Sequence, residues 1–368
     1  MEKKVSILKE TRPGEKRVVL QPASIKQFIK EGYQVFVEHH AGIGSGFSDS
    51  EYEQYGAEIL KTEDAWAKSS FVLKYKAPGE HEYKFFRPDL HLAAYFHAEG
   101  DVTLTKELCR KKVNAYSFEF FETSSGKFPL SVSDSEISGK LAVLYGAFHL
   151  QSHLGGCGML LAHIPRVKPP KVVIIGNGNA GGAAARMASS LGAEVVVIGK
   201  NIDNIRKFEA TVPPDIKCYT NCKEVLEREI PNADLVIGTI LISTYDTPAM
   251  IDRVMLRKMK TRSIIIDITC GYGKGYLPTF PRLTSHSEPM CEVEGVLHCK
   301  IDALPASVPV TATQAFSQNV TPYLIALGNS IYEKNRMDYI SNKGKIIENG
   351  KIVHPEILKN FRLLRGAS

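Results

Sequence analysis

The chain has no C-x-x-C pair, although its 368 residues include seven cysteines, scattered at positions 109, 157, 218, 222, 270, 291 and 299. An odd number of dispersed thiols fits no disulfide framework, and the spacing of Cys218 and Cys222 lacks the second pair that a zinc site of this kind needs. No metal is expected on this basis, and reduced thiols point to a cytoplasmic location. Nor is there an unbroken run of roughly 18 apolar residues, the length a membrane span requires. The most apolar long stretch, 141–161, is interrupted by His149, Gln151, Ser152 and His153. The start, MEKKVSILKE, passes straight into strand-like sequence without the apolar core of a secretory leader. A localised basic patch is lacking as well. Lys and Arg outnumber Asp and Glu by 46 to 40, a net charge of +6, but they are spread among acidic neighbours, so nucleic acid has no footprint here. Repeats and low-complexity tracts are absent, and 43% hydrophobic with 23% charged residues excludes disordered and fibrous classes.

What is present is a dinucleotide-binding signature. Residues 171–201 read KVVIIGNGNAGGAAARMASSLGAEVVVIGKN, a β-branched run, a G-x-G-x-x-G, a helix of small residues and a second β-branched run. Each glycine has a physical task. Gly176 permits the tight turn off the strand, Gly178 lets backbone approach a pyrophosphate, and Gly181 lets the helix pack close to the sheet. Asn179 and Ala180 open the helix, whose free N–H groups and positive dipole end suit phosphate. The second strand normally ends in Asp or Glu when NAD is preferred, because the acid holds the ribose hydroxyls and repels a 2′-phosphate. Here that position is Gly199, followed by Lys200 and Asn201, so NADPH is the expected cofactor, with NADH as the alternative.

The length predicts two domains. Strand-like runs near 5–8, 34–38, 71–76, 91–96 and 114–118 alternate with segments of helical length, as do runs near 195–198, 218–220, 235–242 and 263–268. Such alternation predicts an α/β fold with two doubly wound Rossmann-like domains and a cleft between them. Residues 1–130 with 309–368 are read as the substrate domain, and 131–308 as the dinucleotide domain. A helix is predicted over 135–154 with Ser135 as its N-cap, and another over 322–333. In DLVIGTILI, Thr239 and Leu241 fall at a strand's carboxyl end, where a nicotinamide is expected.

A nicotinamide moves a hydride, so the protein must supply orientation and a proton-transfer group. Three residues of the first domain stand at strand or loop ends: Arg17 in GEKRVVL, whose fork suits a carboxylate, Lys76 closing FVLKYK, and His97 after LAAYF. Taken singly, each also fits a solvated charge or a structural histidine. Their shared placement on one lip of the sheet favours function.

GEKRVVLQPASI, AGIGSGFSDSEYEQYGAEI, VLKYKAP, YFHAEG, SEISGKLA, GNGNAG, ADLVIGTILI and ALPASVP, in that order, resemble the alanine dehydrogenase and transhydrogenase domain family over nearly the whole chain. That family also contains saccharopine dehydrogenases and N5-(carboxyethyl)ornithine synthase. The resemblance implies that Arg17 and Lys76 bind the carboxylate and carbonyl region of a 2-oxo acid, with Lys74 as the alternative if the register slips. It implies His97 as general acid/base or carbonyl-polarising group, and places Ser135, Gly139 and the fingerprint glycines toward cofactor. It also implies a homo-oligomer, with an amine or amino acid as the second small-molecule partner.

The chain departs from the family's alanine enzymes at one catalytic position. They carry an Asp after the strand ending VDIAID; here IIIDITCGYGKG retains Asp267 but has Gly271 where that Asp is expected. Gly271, the HAEG turn, IDALP and the NADPH signal together lean toward an opine-type reduction of an imine formed from a 2-oxo acid and an amine. Alanine dehydrogenation and a non-catalytic nucleotide-binding relative are the alternatives.

Overall fold

The computed structural model describes residues 2–240, 248–269, 275–333 and 338–366. It divides into two compact units, Met1–Asp134 with Val308–Ser368, and Ser135–Ser307.

In the first unit the β-branched run Lys3–Ile7 pairs in parallel with Tyr33–Glu38 on one side and Phe71–Lys76 on the other. Glu58–Leu60 lies beyond the former, and His91–Tyr95 and Asn114–Ser117 beyond the latter, all parallel. Numbered along the chain, these six strands lie in the order 3-2-1-4-5-6, the doubly wound arrangement. One sheet face packs Val5, Ile7, Leu73 and Tyr75 against Phe28 and against Phe316, Val320 and Leu324. The other packs Val72, Leu92 and Ala94 against Trp66, Leu104 and Leu108. Both faces are therefore covered, which is why the strands are apolar at successive positions rather than alternating.

The second unit repeats the order. Lys171–Ile175 sits between Glu194–Gly199 and Leu235–Gly238; Lys217–Thr220 lies outside the former, and Ile264–Asp267 and Val296–Cys299 outside the latter. The protein is thus α/β with two mostly parallel, Rossmann-like sheets.

Four features differ from the sequence-based expectation. Each sheet ends in an antiparallel strand, Cys291–Val293 in one and the Lys345–Glu348/Lys351–Ile352 hairpin in the other. The predicted helix 135–154 is Val132–His149, so Ser135 is in its first turn and is not its N-cap. Pro129, opening the 3-10 turn Pro129–Ser131, starts the coil early because its ring pre-sets a helical φ. The helix predicted from Pro322 is Pro309–Tyr332, with Pro322 in its interior. An interior proline removes one backbone bond and costs about 3 kcal/mol. Here the buried stripe of Phe316, Val320, Leu324 and Leu327 offsets that loss. The strand expected over 235–242 is Leu235–Gly238.

Candidate active site

The candidate groups Lys76 and His97 of the first unit lie at the carboxyl ends of its parallel strands, the edge where doubly wound sheets place their chemistry. Lys76 ends Phe71–Lys76, and His97 follows His91–Tyr95 by two residues. A bulge decides which lysine joins the site. Pairing runs Leu73↔Ala93 and then Lys76↔Tyr95, so three steps on one strand match two on its neighbour. Strict alternation would put Lys76 on the face of Lys74. The extra residue returns it to the face of Tyr75 and Tyr95, with its ammonium 5.5 Å from the Tyr95 ring centroid. Lys74 faces elsewhere and is wholly enclosed, donating to Glu82 at 2.9 Å and to the Lys9 carbonyl at 3.0 Å. Burial works against the charge of Lys74, but Glu10 and Glu82 hold its pKa above the ordinary value.

Lys76 Nζ lies 3.3 Å from His97 Nε2. On the other side of the imidazole, Nδ1 is 3.7 Å from Glu119 Oε1 and 3.8 Å from Glu99 Oε1. With an ammonium donating to Nε2, the arrangement assigns the ring proton to Nδ1, between the two carboxyls. Glu119 also accepts the backbone N–H of His97 at 2.6 Å, and the His97 ring stacks on Tyr95 at 6.2 Å. Burial pushes the Glu119 carboxyl up, against the pull of His97 and with the push of Glu99. His97 itself sits at φ 47°, in the left-handed region. A non-glycine residue there stores about 1–3 kcal/mol and persists only when its surroundings hold it, a pattern common at functional sites.

Arg17 is 2% exposed and lies over the Tyr75 ring, its guanidinium carbon 4.1 Å from the centroid. Its Nε and Nη2 clasp Glu15 at 2.7 and 2.6 Å, and Nη1 is 3.4 Å from Asp134, which also accepts the Tyr75 hydroxyl at 2.7 Å. Burial acts against the guanidinium's charge, yet Tyr75, Glu15 and Asp134 hold its pKa above the ordinary value. Burial likewise pushes Glu15 up, but Arg17 and then Lys76 hold its carboxyl below the usual range. Arg17 is set by the returning C-terminal helix: Thr313 and Ser317 accept the N–H groups of Val18 and Gln21 at 3.1 and 2.9 Å. Glu15 thus takes the Nε/Nη2 edge of Arg17, leaving the Nη1/Nη2 edge, which Asp134 approaches from one side.

Glu15, Asp134 and Glu119 belong to this cluster and were not singled out from sequence. Glu15 carries a usable signal, being two residues from Arg17 in GEKR. Asp134 and Glu119 reach Arg17 and His97 through the fold.

A cavity of about 340 Å³ has Arg17 and Glu15 in its wall, with Lys9, Glu10, Lys16 and His40; Lys76 and His97 are not among its lining residues. Glu10 accepts the Tyr75 N–H at 2.7 Å, and Lys74 Nζ is 3.9 Å away. Burial pushes its carboxyl up to about 7, against the pull of Lys74 and Tyr75. The folded chain therefore holds this proton more tightly than the unfolded one. The resulting stability is complete below the ordinary carboxyl range and is lost as pH rises through about 7. Replacing Glu10 by Gln is expected to flatten this dependence. Unfolding free energies should agree with wild type at pH 4 and exceed it at pH 8, by on the order of 3 kcal/mol at most. The same pH slope in both proteins would refute the assignment.

In the second unit, Gly176 has φ 117°, and a Cβ there would strike the Thr239 side chain. A Cβ at Gly181 would strike the Gly176 carbonyl, so the helix Asn179–Ser190 packs directly on the turn. At Gly178 a Cβ would meet nothing within 4 Å. This open backbone at the start of a twelve-residue helix fits an approaching pyrophosphate. Asn179 is exposed and Ala180 half-buried beside it. Gly139, on the Val132–His149 helix, packs against the Ala180 carbonyl, and Ser135 is half-buried one turn earlier. Thr239 donates to the Ile175 and Gly176 carbonyls at 3.0 and 3.2 Å, tying two strand ends together. Gly199 is crowded, since a Cβ would lie 2.7 Å from Asn177 Oδ1. Lys200 is exposed, and Asn201 caps the helix Ile202–Glu209 through the N–H groups of Asp203 and Asn204. Leu241 and Gly271 lie outside the described residues. Among the described residues, no helix is long and apolar enough to cross a membrane.

Residues 6–138 match the family described as Alanine dehydrogenase/PNT, N-terminal domain, and residues 142–355 match Alanine dehydrogenase/PNT, C-terminal domain. The chain is 33% identical to alanine dehydrogenase of Staphylococcus epidermidis over 97% of its own length and 96% of the relative's. It is 34% identical to alanine dehydrogenase of Bacillus subtilis, covering 97% and 94%. A solved L-alanine dehydrogenase superposes with a TM-score of 0.89 at 34% identity, covering 98% of this chain and 99% of that one. The fold is shared with a transhydrogenase from Sinorhizobium meliloti, with a TM-score of 0.76 at 22% identity over 96% and 99%.

Proposed function

The chain belongs to the alanine dehydrogenase/PNT family, and from that membership we propose that it interconverts a small L-amino acid of the alanine type with its 2-oxo acid and ammonia. The observation that carries the proposal is the contact of Lys76 Nζ with His97 Nε2 at 3.3 Å, at the strand edge where Arg17 also stands. A nicotinamide dinucleotide, when bound, supplies the two-electron hydride acceptor or donor. Arg17 offers its Nη1/Nη2 edge to the substrate carboxylate. Lys76 places a positive charge where negative charge develops on a carbonyl oxygen. His97 holds one proton at Nδ1 between Glu99 and Glu119, and passes another at Nε2 to or from the reacting oxygen or nitrogen. Gly178 and the helix after it fit the cofactor's pyrophosphate.

A second reading, imine reduction with a larger amine in the manner of opine synthases, draws support from Gly271, which carries no carboxylate to meet ammonia or water. The relatives named alanine dehydrogenase, at about one-third identity over nearly the full chain, weigh toward ammonia. Oxidation of NADPH and NADH should be followed with pyruvate or 2-oxoglutarate plus ammonia, then plus ornithine or lysine. We expect turnover with pyruvate and ammonia. Turnover only with the amino-acid amines would overturn the ammonia reading in favour of the second. We further propose NADPH as the preferred cofactor, because Gly199 supplies no acidic side chain to hold the ribose hydroxyls and repel a 2′-phosphate. Equal or better kcat/KM with NADH would refute this.

A further inference from the structure

We propose that His39, His40 and Asp49 form a binding site for a divalent transition-metal ion of the zinc class. The proposal is independent of the dehydrogenase reading, because it involves none of Arg17, Lys76 and His97. One ligand atom from each of the three side chains lies within 4.8 Å of the others. His39 Nε2 and His40 Nδ1 are 3.4 and 3.3 Å from Asp49 Oδ2. In a tetrahedral zinc site, metal bonds of about 2.0–2.1 Å put neighbouring ligand atoms about 3.3–3.4 Å apart, so both distances match edges of that tetrahedron. Two imidazoles and one carboxylate are also the donor types that zinc takes in sites that keep a position open.

The backbone holds this arrangement in place. The histidines follow the strand Tyr33–Glu38, and Asp49 begins the helix Asp49–Gln54. Asp49 Oδ1 accepts the His40 N–H at 2.9 Å, which fixes the carboxylate and turns Oδ2 toward the two rings. A hydrogen bond to the oxygen that does not face the ion orients a metal-binding carboxylate. His40 has φ 65°, a left-handed conformation that costs a non-glycine residue free energy, and the turn brings its ring to 3.5 Å from that of His39, centroid to centroid. Two adjacent residues thereby point ring nitrogens at one carboxylate oxygen. Both rings are about half exposed, so an ion reaches them from solvent.

His40 also lines the cavity that Arg17 and Lys9 share. Three protein ligands leave at least one coordination position for water or an anionic group. The ion would therefore add a Lewis-acidic point to the rim of a cavity that already carries basic side chains.

The test is titration of the full-length, reduced protein with Zn²⁺ by calorimetry and with Co²⁺ by visible absorption. The parallel variants are His39→Ala, His40→Ala, Asp49→Asn and the double histidine variant. We expect one ion per chain, a Co²⁺ spectrum free of thiolate charge-transfer bands, and an affinity loss of at least about 10-fold in each single variant, with no specific binding in the double variant. Circular dichroism should be unchanged, because both histidine rings are about half exposed and Asp49→Asn keeps the Oδ1 that accepts the His40 N–H. Binding that persists in the double variant, or a thiolate signature from the cysteines, would overturn the proposal. So would the absence of stoichiometric binding to wild type.

Discussion

Replacing His97 by Asn is expected to lower kcat on the true substrate by about 10²- to 10⁴-fold, the usual weight of one positioned acid/base group. Asn is chosen because residue 97 sits at φ 47°, and Asn tolerates the left-handed region better than most side chains. A loss of activity then reports the imidazole rather than a refolded turn. The turn keeps its tie to Glu119, which accepts the backbone N–H of residue 97, a group that Asn retains. KM for the oxo acid should change far less than kcat, since Arg17 is untouched. Steady-state kinetics, with the denaturation midpoint as a control, decides the matter. Wild-type kcat in a folded His97→Asn protein would remove His97 from the mechanism.

The second large effect concerns stability and binding together. Arg17→Ala strips the enclosed Glu15 of its hydrogen-bonded counter-ion, leaving it only the pull of Lys76, and takes the guanidinium from Asp134, which keeps the Tyr75 hydroxyl. Breaking a buried pair from one side costs about 3–5 kcal/mol. We expect a loss of that order in unfolding free energy at neutral pH, with a large rise in KM for the oxo acid. The double variant Arg17→Ala/Glu15→Gln removes the orphaned charge and should recover much of the stability but none of the affinity. If the double variant regained low KM as well, Arg17 would be a structural residue only. Arg17→Lys falls between the two, because an ammonium cannot reproduce the two-pronged grip on Glu15.

The parts of the fold legible in sequence are those set by local pattern. The strand Lys171–Ile175, the turn at Gly176 and the helix after it follow from β-branched residues, glycine and small side chains within twenty residues. Both edge hairpins turn on an X-Gly pair: Asn349-Gly350 and Glu294-Gly295 each have φ positive at both positions, as a two-residue hairpin turn needs. Asn349-Gly350 is the strongest short-range signal for that turn. Pro322 misled in the opposite way. A local rule ends or starts a helix at proline, whereas burial of Phe316, Val320 and Leu324 carries the helix through it.

Of the candidate cluster, Arg17, Lys76 and His97 are marked in the sequence by residue type and by position at strand or loop ends. Choosing Lys76 over Lys74 was not, because the choice rests on a bulge whose extra residue shows only in the pairing with Tyr95. Asp134 and Glu119 were out of reach for a related reason. They meet their partners from 117 and 22 residues away in the chain, and nothing near either residue marks the meeting.

The first unit is built from both ends of the chain, and this governs the order in which the molecule can assemble during synthesis. Its sheet takes its edge strands from Lys345–Glu348 and Lys351–Ile352, and its core takes Phe316, Val320 and Leu324 from Pro309–Tyr332. Until those residues leave the ribosome, one face of that sheet has only part of its cover, from Phe28 and its helix, and apolar Val5, Ile7 and Leu73 stay partly open to water or to a chaperone. The second unit, continuous from Ser135 to Ser307, has its whole sequence available well before then. Domains fold as units while the chain emerges, and pairings distant in sequence form late. The half of the protein made first is therefore the half finished last, and the rate at which the final sixty residues arrive sets how long it stays open to aggregation.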